Sequence, residues 1–315
     1  MYKNSYLYSY NYDTNESELC KLEAKYLFQK EEQDKLLFSE IEVEPSSSAF
    51  IKKRLHITLC SEDYSTLIQE IKAAEIKVEG FKVEYLVLDG DKTEYKERLK
   101  KLKDIGYSIE GIPDYYNPTI TYALTNYNGT WLFGVLVKNS FDWHKHKQKP
   151  FSYSNSIGVH IAKSLLNIAT KGNKATTLID ACCGVGTIML EACFAGYNIE
   201  GCDINWKVCR QSRANLAHFN YTANVYRSDI NDITTNYDAA IIDLPYNLFS
   251  CADEDTLTHI IESTTEITDK LVIVSTIDIS EIINKAGLKI VDHCTIQKRR
   301  MANFARQVWV CQKLD

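Results

Sequence analysis

Thr176-Thr-Leu-Ile-Asp180-Ala-Cys-Cys-Gly-Val-Gly-Thr187 is the stretch that decides the fold. A short apolar run ends in Asp180, a glycine-rich turn follows, and a helical pattern begins at Thr187. Gly184 and Gly186 remove side chains where the backbone must turn tightly and approach a ligand. Six more strand-like runs lie outward from it, at 198–203, 223–229, 237–243, 270–276, 288–296 and 306–312. Helix-like stretches alternate with them: TIMLEACFAG, WKVCRQSRANLAHFN, DEDTLTHIIESTTEITD and ISEIINKAG. Alternation of this kind predicts a parallel sheet wrapped by helices, an α/β fold. Only the polar link KRRMANFA separates the last two runs, so these should pair as an antiparallel hairpin.

Upstream of residue 145 the pattern is mixed α and β. Tyr6, Tyr8, Tyr10 and Tyr12 alternate with other residues at strand period, and 18–28, 63–75 and 93–106 read as helices. Runs 119–127 and 130–138 flank Asn128-Gly129, a strong hairpin signal. The polar stretch KNSFDWHKHKQKPF reads as a hinge ending at Pro150. With 315 residues, two domains are expected, cut at 1–145 and 146–315.

Composition narrows the class. An apolar share of 45% with 25% charged residues is that of a soluble globular chain. No apolar run approaches the roughly 20 residues of a membrane helix, and the N-terminus shows no secretory pattern. The ten cysteines sit inside apolar runs without a Cys-x-x-Cys pair. They are expected as reduced, buried thiols of a cytoplasmic protein, with no metal. A net charge of −6 argues against non-specific nucleic-acid binding but leaves room for local basic patches.

Three carboxylates close successive strands. Asp180 precedes the glycine turn. Asp203 can accept hydrogen bonds from two ribose hydroxyls or cap the following helix, and Asp229 can accept an adenine amine or cap a turn. The third glycine of a dinucleotide fingerprint is absent, since Met189 stands there, so S-adenosylmethionine suits the turn better than a nicotinamide nucleotide. The expected cofactor residues are Asp180, Cys182, Gly184, Gly186, Thr187, Asp203, Ile204, Asp229 and Ile230.

Asp243-Leu244-Pro245-Tyr246 follows the fourth strand. It resembles the Asp-Pro-Pro-Tyr motif of amino-group methyltransferases acting on nucleic-acid bases. An exocyclic amine is a poor nucleophile because its lone pair is delocalised into the ring. Asp243 and the carbonyl of Leu244 can accept its hydrogens, Pro245 stiffens the turn, and Tyr246 can stack on an unpaired base. These four are the expected catalytic group.

Five parallel strands followed by a hairpin resemble the class I methyltransferase sheet. Residues 149–169, with Lys149-Pro150-Phe151 and Asn167-Ile168-Ala169, resemble the segment preceding the cofactor strand in the THUMP-containing tRNA guanosine-10 N2-methyltransferases. Pro118 and the paired strands after it resemble the end of a THUMP domain, and the pattern before it a ferredoxin-like subdomain. Two departures stand out: Leu244 replaces the first proline of the motif, and Ser152-Tyr153-Ser154 replaces a bulkier, proline-containing run. The resemblance implies a Rossmann-like methyltransferase domain at 146–315, an RNA-docking region at 1–145, S-adenosylmethionine as cofactor and tRNA as partner. It implies methyl transfer to a guanine N2 amine. The rival readings are an N6-adenine methyltransferase and an inactive RNA-binding homologue.

Two basic patches could contact tRNA phosphates. Lys145, Lys147 and Lys149 surround Trp143, which could stack on a base, and Arg299 and Arg300 lie between the last two strands.

Overall fold

Strands buried on both faces must be apolar along their whole length, and strands near the sheet centre are. The computed structural model describes residues 2–154, 156–245, 254–297 and 305–314. Two units form, and their segments interleave: 1–11, 33–45 and 51–140 make the first, and 12–32, 46–50 and 141–315 the second. The expected cut at 145/146 follows chain order. The observed division instead places helix α1 (Ser17–Phe28) and residues 46–50 with the C-terminal unit.

The first unit carries β1 (Ser5–Tyr10), β2 (Leu36–Ser39), β3 (Ile51–Ser61), β4 (Phe81–Tyr85), β5 (Ile120–Tyr127) and β6 (Thr130–Lys138), with α2 (Tyr64–Ala73) and α3 (Tyr95–Gly106). Their order is β2-β1-β3-β6-β5-β4, antiparallel except for the parallel pair β4–β5. Asn128 and Gly129 join β5 to β6 with φ of 50° and 87°, the left-handed pair a two-residue hairpin demands.

The second unit carries β7 (Thr177–Asp180), β8 (Asn198–Asp203), β9 (Asn224–Arg227), β10 (Ala239–Asp243), β11 (Lys270–Ser275), β12 (Leu288–Gln297) and β13 (Ala305–Lys313). Its helices are α4 (Val159–Thr170), α5 (Thr187–Ala195), α6 (Trp206–His218), α7 (Glu254–Thr265) and α8 (Ser280–Lys285). The sheet order is β12-β13-β11-β10-β7-β8-β9. Strands β7 to β11 run parallel, and β13 is antiparallel to both β11 and β12. All seven sequence-predicted strands are present, the last two as the expected hairpin. Ile241, Ile242, Val272 and Ile273 are fully buried, which is why β10 and β11 read as unbroken apolar runs. Strand order reverses between β7 and β10. Loops there diverge to opposite faces and leave a crevice at the carboxyl edge.

Residues 142–148 are not the hinge that their polarity suggests. They form a 3-10 helix with Trp143 and His146 buried. His146 Nδ1 lies 2.6 Å from Glu191 Oε1 on α5, and Nε2 lies 3.0 Å from the Tyr221 hydroxyl. Polar residues with internal partners make this segment part of the core.

Candidate active site

The crevice is a cavity of about 300 Å³ at the carboxyl ends of β7, β8 and β10. Its size is at the low end for small-molecule sites. The glycine turn builds one wall. Gly184 and Gly186 take φ of 50° and 79°, which residues with a Cβ rarely adopt. The two glycines then differ. A Cβ on Gly184 would meet only open space, whereas one on Gly186 would lie 2.3 Å from Ser212 Oγ on α6. Gly184 keeps the cavity clear, and Gly186 permits close packing of α6.

Asp203 closes β8 with its carboxylate already oriented. Oδ2 accepts from the Gly184 N–H at 3.1 Å and Oδ1 from the Asn205 N–H at 2.8 Å. Burial raises its pKa, and these two donors pull it back. Asn205 caps α6 by accepting from the Lys207 N–H.

Asp180 and Asp243 face the same cavity, and the Oδ1 atom of each is buried without a hydrogen-bond partner among the described residues. Burial holds the Asp180 carboxyl well above the usual range, and the charges of Asp243 and Asp203 push it further. Burial also raises Asp243, to about 7, with the Arg306 guanidinium working in the opposite direction. Orphaned buried carboxylate oxygens are costly, so such atoms call for a donor that the described residues do not supply. A ligand with an ammonium, and a second one with an exocyclic amine, fit these two acceptors. The thiols of Cys182 and Cys183 are pushed well up by burial and by the same carboxylates, so both stay protonated.

Of the expected site residues, Asp180, Cys182, Gly184, Thr187, Asp203, Asp243, Leu244 and Pro245 line this one cavity. Others lie elsewhere. Gly186 packs on Ser212, Ile204 is 70% exposed, and Ile230 is in the hydrophobic core. Asp229 accepts from the Asn231 N–H and lies 3.0 Å from His259 Nε2. Tyr246 lies outside the described residues. The sequence reading missed Tyr153, Ser156, Ile157, Cys183, Val185, Ile188, Asn205 and Val208 as lining residues. The first three sit in the lead-in stretch 149–158, whose likeness to the family segment was the available signal.

The basic patches change. Trp143 is 2% exposed, packed beneath Lys147 and against His144, so it cannot stack on a base; this corrects its expected role. An indole with few partners in water is driven inward, and the neighbouring lysines reveal nothing of that. Lys145 and Lys147 are exposed and Lys149 is half-buried, while Arg299 and Arg300 lie outside the described residues.

A seven-stranded sheet of this order, with a Gly-x-Gly turn after the first strand of the unit and acidic residues at the next strand ends, is the class I methyltransferase fold. The sequence comparisons agree. Residues 146–259 match the family described as UPF0020: RMKL-like, methyltransferase domain. A tRNA (guanine(10)-N2)-dimethyltransferase from Methanothermobacter thermautotrophicus is 33% identical over 118 residues, 36% of this chain and 34% of that protein. The protein of the same name from Methanocaldococcus jannaschii is 25% identical over 118 residues, 34% of this chain and 33% of its own length. The chain thus spans about a third of the length of these curated relatives. The crystal structure of TrmN from Thermus thermophilus is similar at 13% identity and a TM-score of 0.48, covering 98% of this chain and 100% of that one. The resemblance read from residues 149–169 and 243–246 therefore has support across 146–259, and the family match does not extend to the N-terminal region.

Proposed function

We propose that this chain transfers the methyl group of S-adenosylmethionine to the exocyclic N2 amine of a guanine in tRNA, at position 10, in the cytoplasm. One observation carries the reading. Asp243 lines the same cavity as Asp180, Asp203 and the glycine turn, and among the described residues its Oδ1 has no hydrogen-bond partner.

In this reading Asp203 accepts from ribose hydroxyls and Asp180 takes an ammonium group. When bound, the cofactor supplies a methyl group already activated on a sulfonium. Asp243 accepts a hydrogen of the incoming amine and keeps electron density on nitrogen. Leu244 is held by its own N–H, which donates to the Val274 carbonyl at 3.0 Å, so its carbonyl has a fixed direction as second acceptor. Pro245 stiffens the turn, and Tyr246 supports the base. The site's contribution is alignment and preformed acceptors, not acid–base chemistry on the donor. Residues 1–145 and the exposed Lys145 and Lys147 dock the tRNA, and Lys149, Arg299 and Arg300 add phosphate contacts.

The test is to incubate the protein with labelled S-adenosylmethionine and unmodified tRNA and identify the product nucleoside by mass spectrometry. N2-methylguanosine or its dimethyl form is expected. Label on an adenine N6, or cofactor binding with no transfer to any RNA, overturns the proposal.

A further inference from the structure

Asn215 on α6 is fully buried and makes three hydrogen bonds, none of them within its own helix. Its Oδ1 accepts the Phe151 N–H at 2.9 Å. Its Nδ2 donates to the Phe151 carbonyl at 2.9 Å and to the Val185 carbonyl at 2.8 Å. Two carbonyls and one N–H around one amide fix which end is which, because the flipped side chain would face donor with donor. Val185 belongs to the glycine turn and lines the cavity. Phe151 lies two residues before Tyr153, which also lines it.

The same face of α6 reaches both walls at other points. Gln211 Oε1, one turn back, accepts the Tyr153 hydroxyl at 2.7 Å. Ser212 occupies the space that the missing Cβ of Gly186 leaves free. Val208 and Asn205 continue this face into the cavity itself. Residues at spacing three and four share a helix face, so one helix serves as a template for the lead-in stretch and the glycine turn together.

We propose that Asn215 is a positioning residue for the cofactor cavity, one side chain that hydrogen-bonds the lead-in wall and the glycine turn at once. This rests on the reading of the cavity as the S-adenosylmethionine site. Neither wall lies within a helix or strand at the atoms Asn215 holds, so this amide helps to set their separation. Without it, the buried Val185 carbonyl is left without this donor and the Phe151 N–H and carbonyl are released toward water. Among the other side chains only glutamine carries the same amide, and its extra methylene would move those groups off their partners. Aspartate keeps an acceptor for Phe151 but donates nothing, and leucine offers neither.

The experiment compares wild type, Asn215→Asp, Asn215→Leu and Ile283→Ala. The last truncates a fully buried core residue on α8 that does not line the cavity, and controls for general loss of stability. S-adenosylmethionine affinity is measured by calorimetry, together with thermal unfolding and the KM values for cofactor and for tRNA. An unsatisfied buried Val185 carbonyl and a released lead-in wall translate to a cofactor affinity about tenfold or more weaker in both Asn215 variants. The KM for tRNA should stay within about twofold, and Ile283→Ala should bind cofactor as wild type does. If Asn215→Leu does not fold, Asn215→Asp carries the measurement. Amide exchange at the Phe151 N–H adds a second: it should be slow in wild type and in Asn215→Asp, which keeps that acceptor. Wild-type affinity in a folded Asn215→Asp, or a loss no larger than that of Ile283→Ala, overturns the proposal. Failure of wild type to bind S-adenosylmethionine overturns the cavity reading as well, so the two failures are told apart.

Discussion

The C-terminal unit contains two buried acidic clusters built to opposite ends. Beneath α4 and α5, Glu23 accepts from Asn167 Nδ2 and from Ser48 Oγ, each at 2.7 Å. Glu191 lies 2.6 Å from His146 and 3.7 Å from the Lys163 ammonium. Burial raises Glu23 and lowers Lys163, and their mutual charges together with these hydrogen bonds oppose both shifts. At the carboxyl edge, Asp180 and Asp243 line a cavity, and one oxygen of each is buried with no ion pair and no hydrogen-bond partner among the described residues. In the first cluster the charges face one another, Glu191 Oε2 and Lys163 Nζ as an ion pair without a hydrogen bond, and they link α1, the 142–148 helix and α5. The second is completed only from outside. Buried charge alone does not mark a site; buried carboxylates that share a cavity and have no ion-pair partner among the described residues do.

Removing Glu191 is the harshest way to test this contrast. Glu191→Ala strands the buried Lys163 ammonium and deprives His146 of its partner, a loss of about 3–5 kcal/mol expected for one half of a buried pair. Denaturant unfolding should show it, and a loss below about 1 kcal/mol would place Glu191 among dispensable groups. Asp243→Asn should move stability in the opposite direction. A carboxyl whose folded pKa is raised to about 7 is favourable to the fold below its unfolded value, and that contribution is lost as pH rises through 7. The substitution should therefore stabilise the cofactor-free protein at pH 8 and leave it nearly unchanged at pH 4.

Asp243→Ala comes next. Removing one preorganised acceptor should lower turnover about 10²–10³-fold, while cofactor affinity measured by calorimetry stays near wild type. Equal loss of both would move Asp243 from the amine to the cofactor. In the wild type, kcat/KM should fall on the acid side of about pH 7 as Asp243 takes up a proton. A rate independent of pH between 6 and 8 would remove Asp243 from the chemistry.

The two glycines of the turn separate packing from binding at a smaller scale. Gly186→Ala combines a left-handed backbone with a contact of 2.3 Å to Ser212 and should destabilise by about 1–3 kcal/mol. Gly184→Ala meets nothing in the folded chain, so only the backbone penalty of about 1 kcal/mol applies, but its methyl enters the cavity and should weaken cofactor binding. Identical behaviour of the two variants would erase the distinction. The smallest effect belongs to Trp143→Phe. With the indole buried, tRNA affinity in a filter-binding assay should change less than about twofold. A larger loss would restore Trp143 as an RNA contact.

The sequence by itself determined the elements of the C-terminal unit and their type. Its seven strands and closing hairpin, and in the first unit the Asn128-Gly129 turn, follow from periodicity and from backbone conformations that few residues tolerate, which are local properties. It also brought Asp180, Asp203 and Asp243 to neighbouring strand ends, because parallel strands deliver their carboxyl ends to one edge. Tertiary structure alone decided which polar residues are satisfied. Asn167 and Glu23 are 144 positions apart, and Asn215 reaches Phe151 across 64. Nothing local to either chain position announces such a partner. The lysines around Trp143 suggested a wet surface, and only the packing of His146 on Glu191 showed that this segment is core. Burial depends on the whole neighbourhood of a side chain, and hydrogen-bond partners come from wherever the fold brings them.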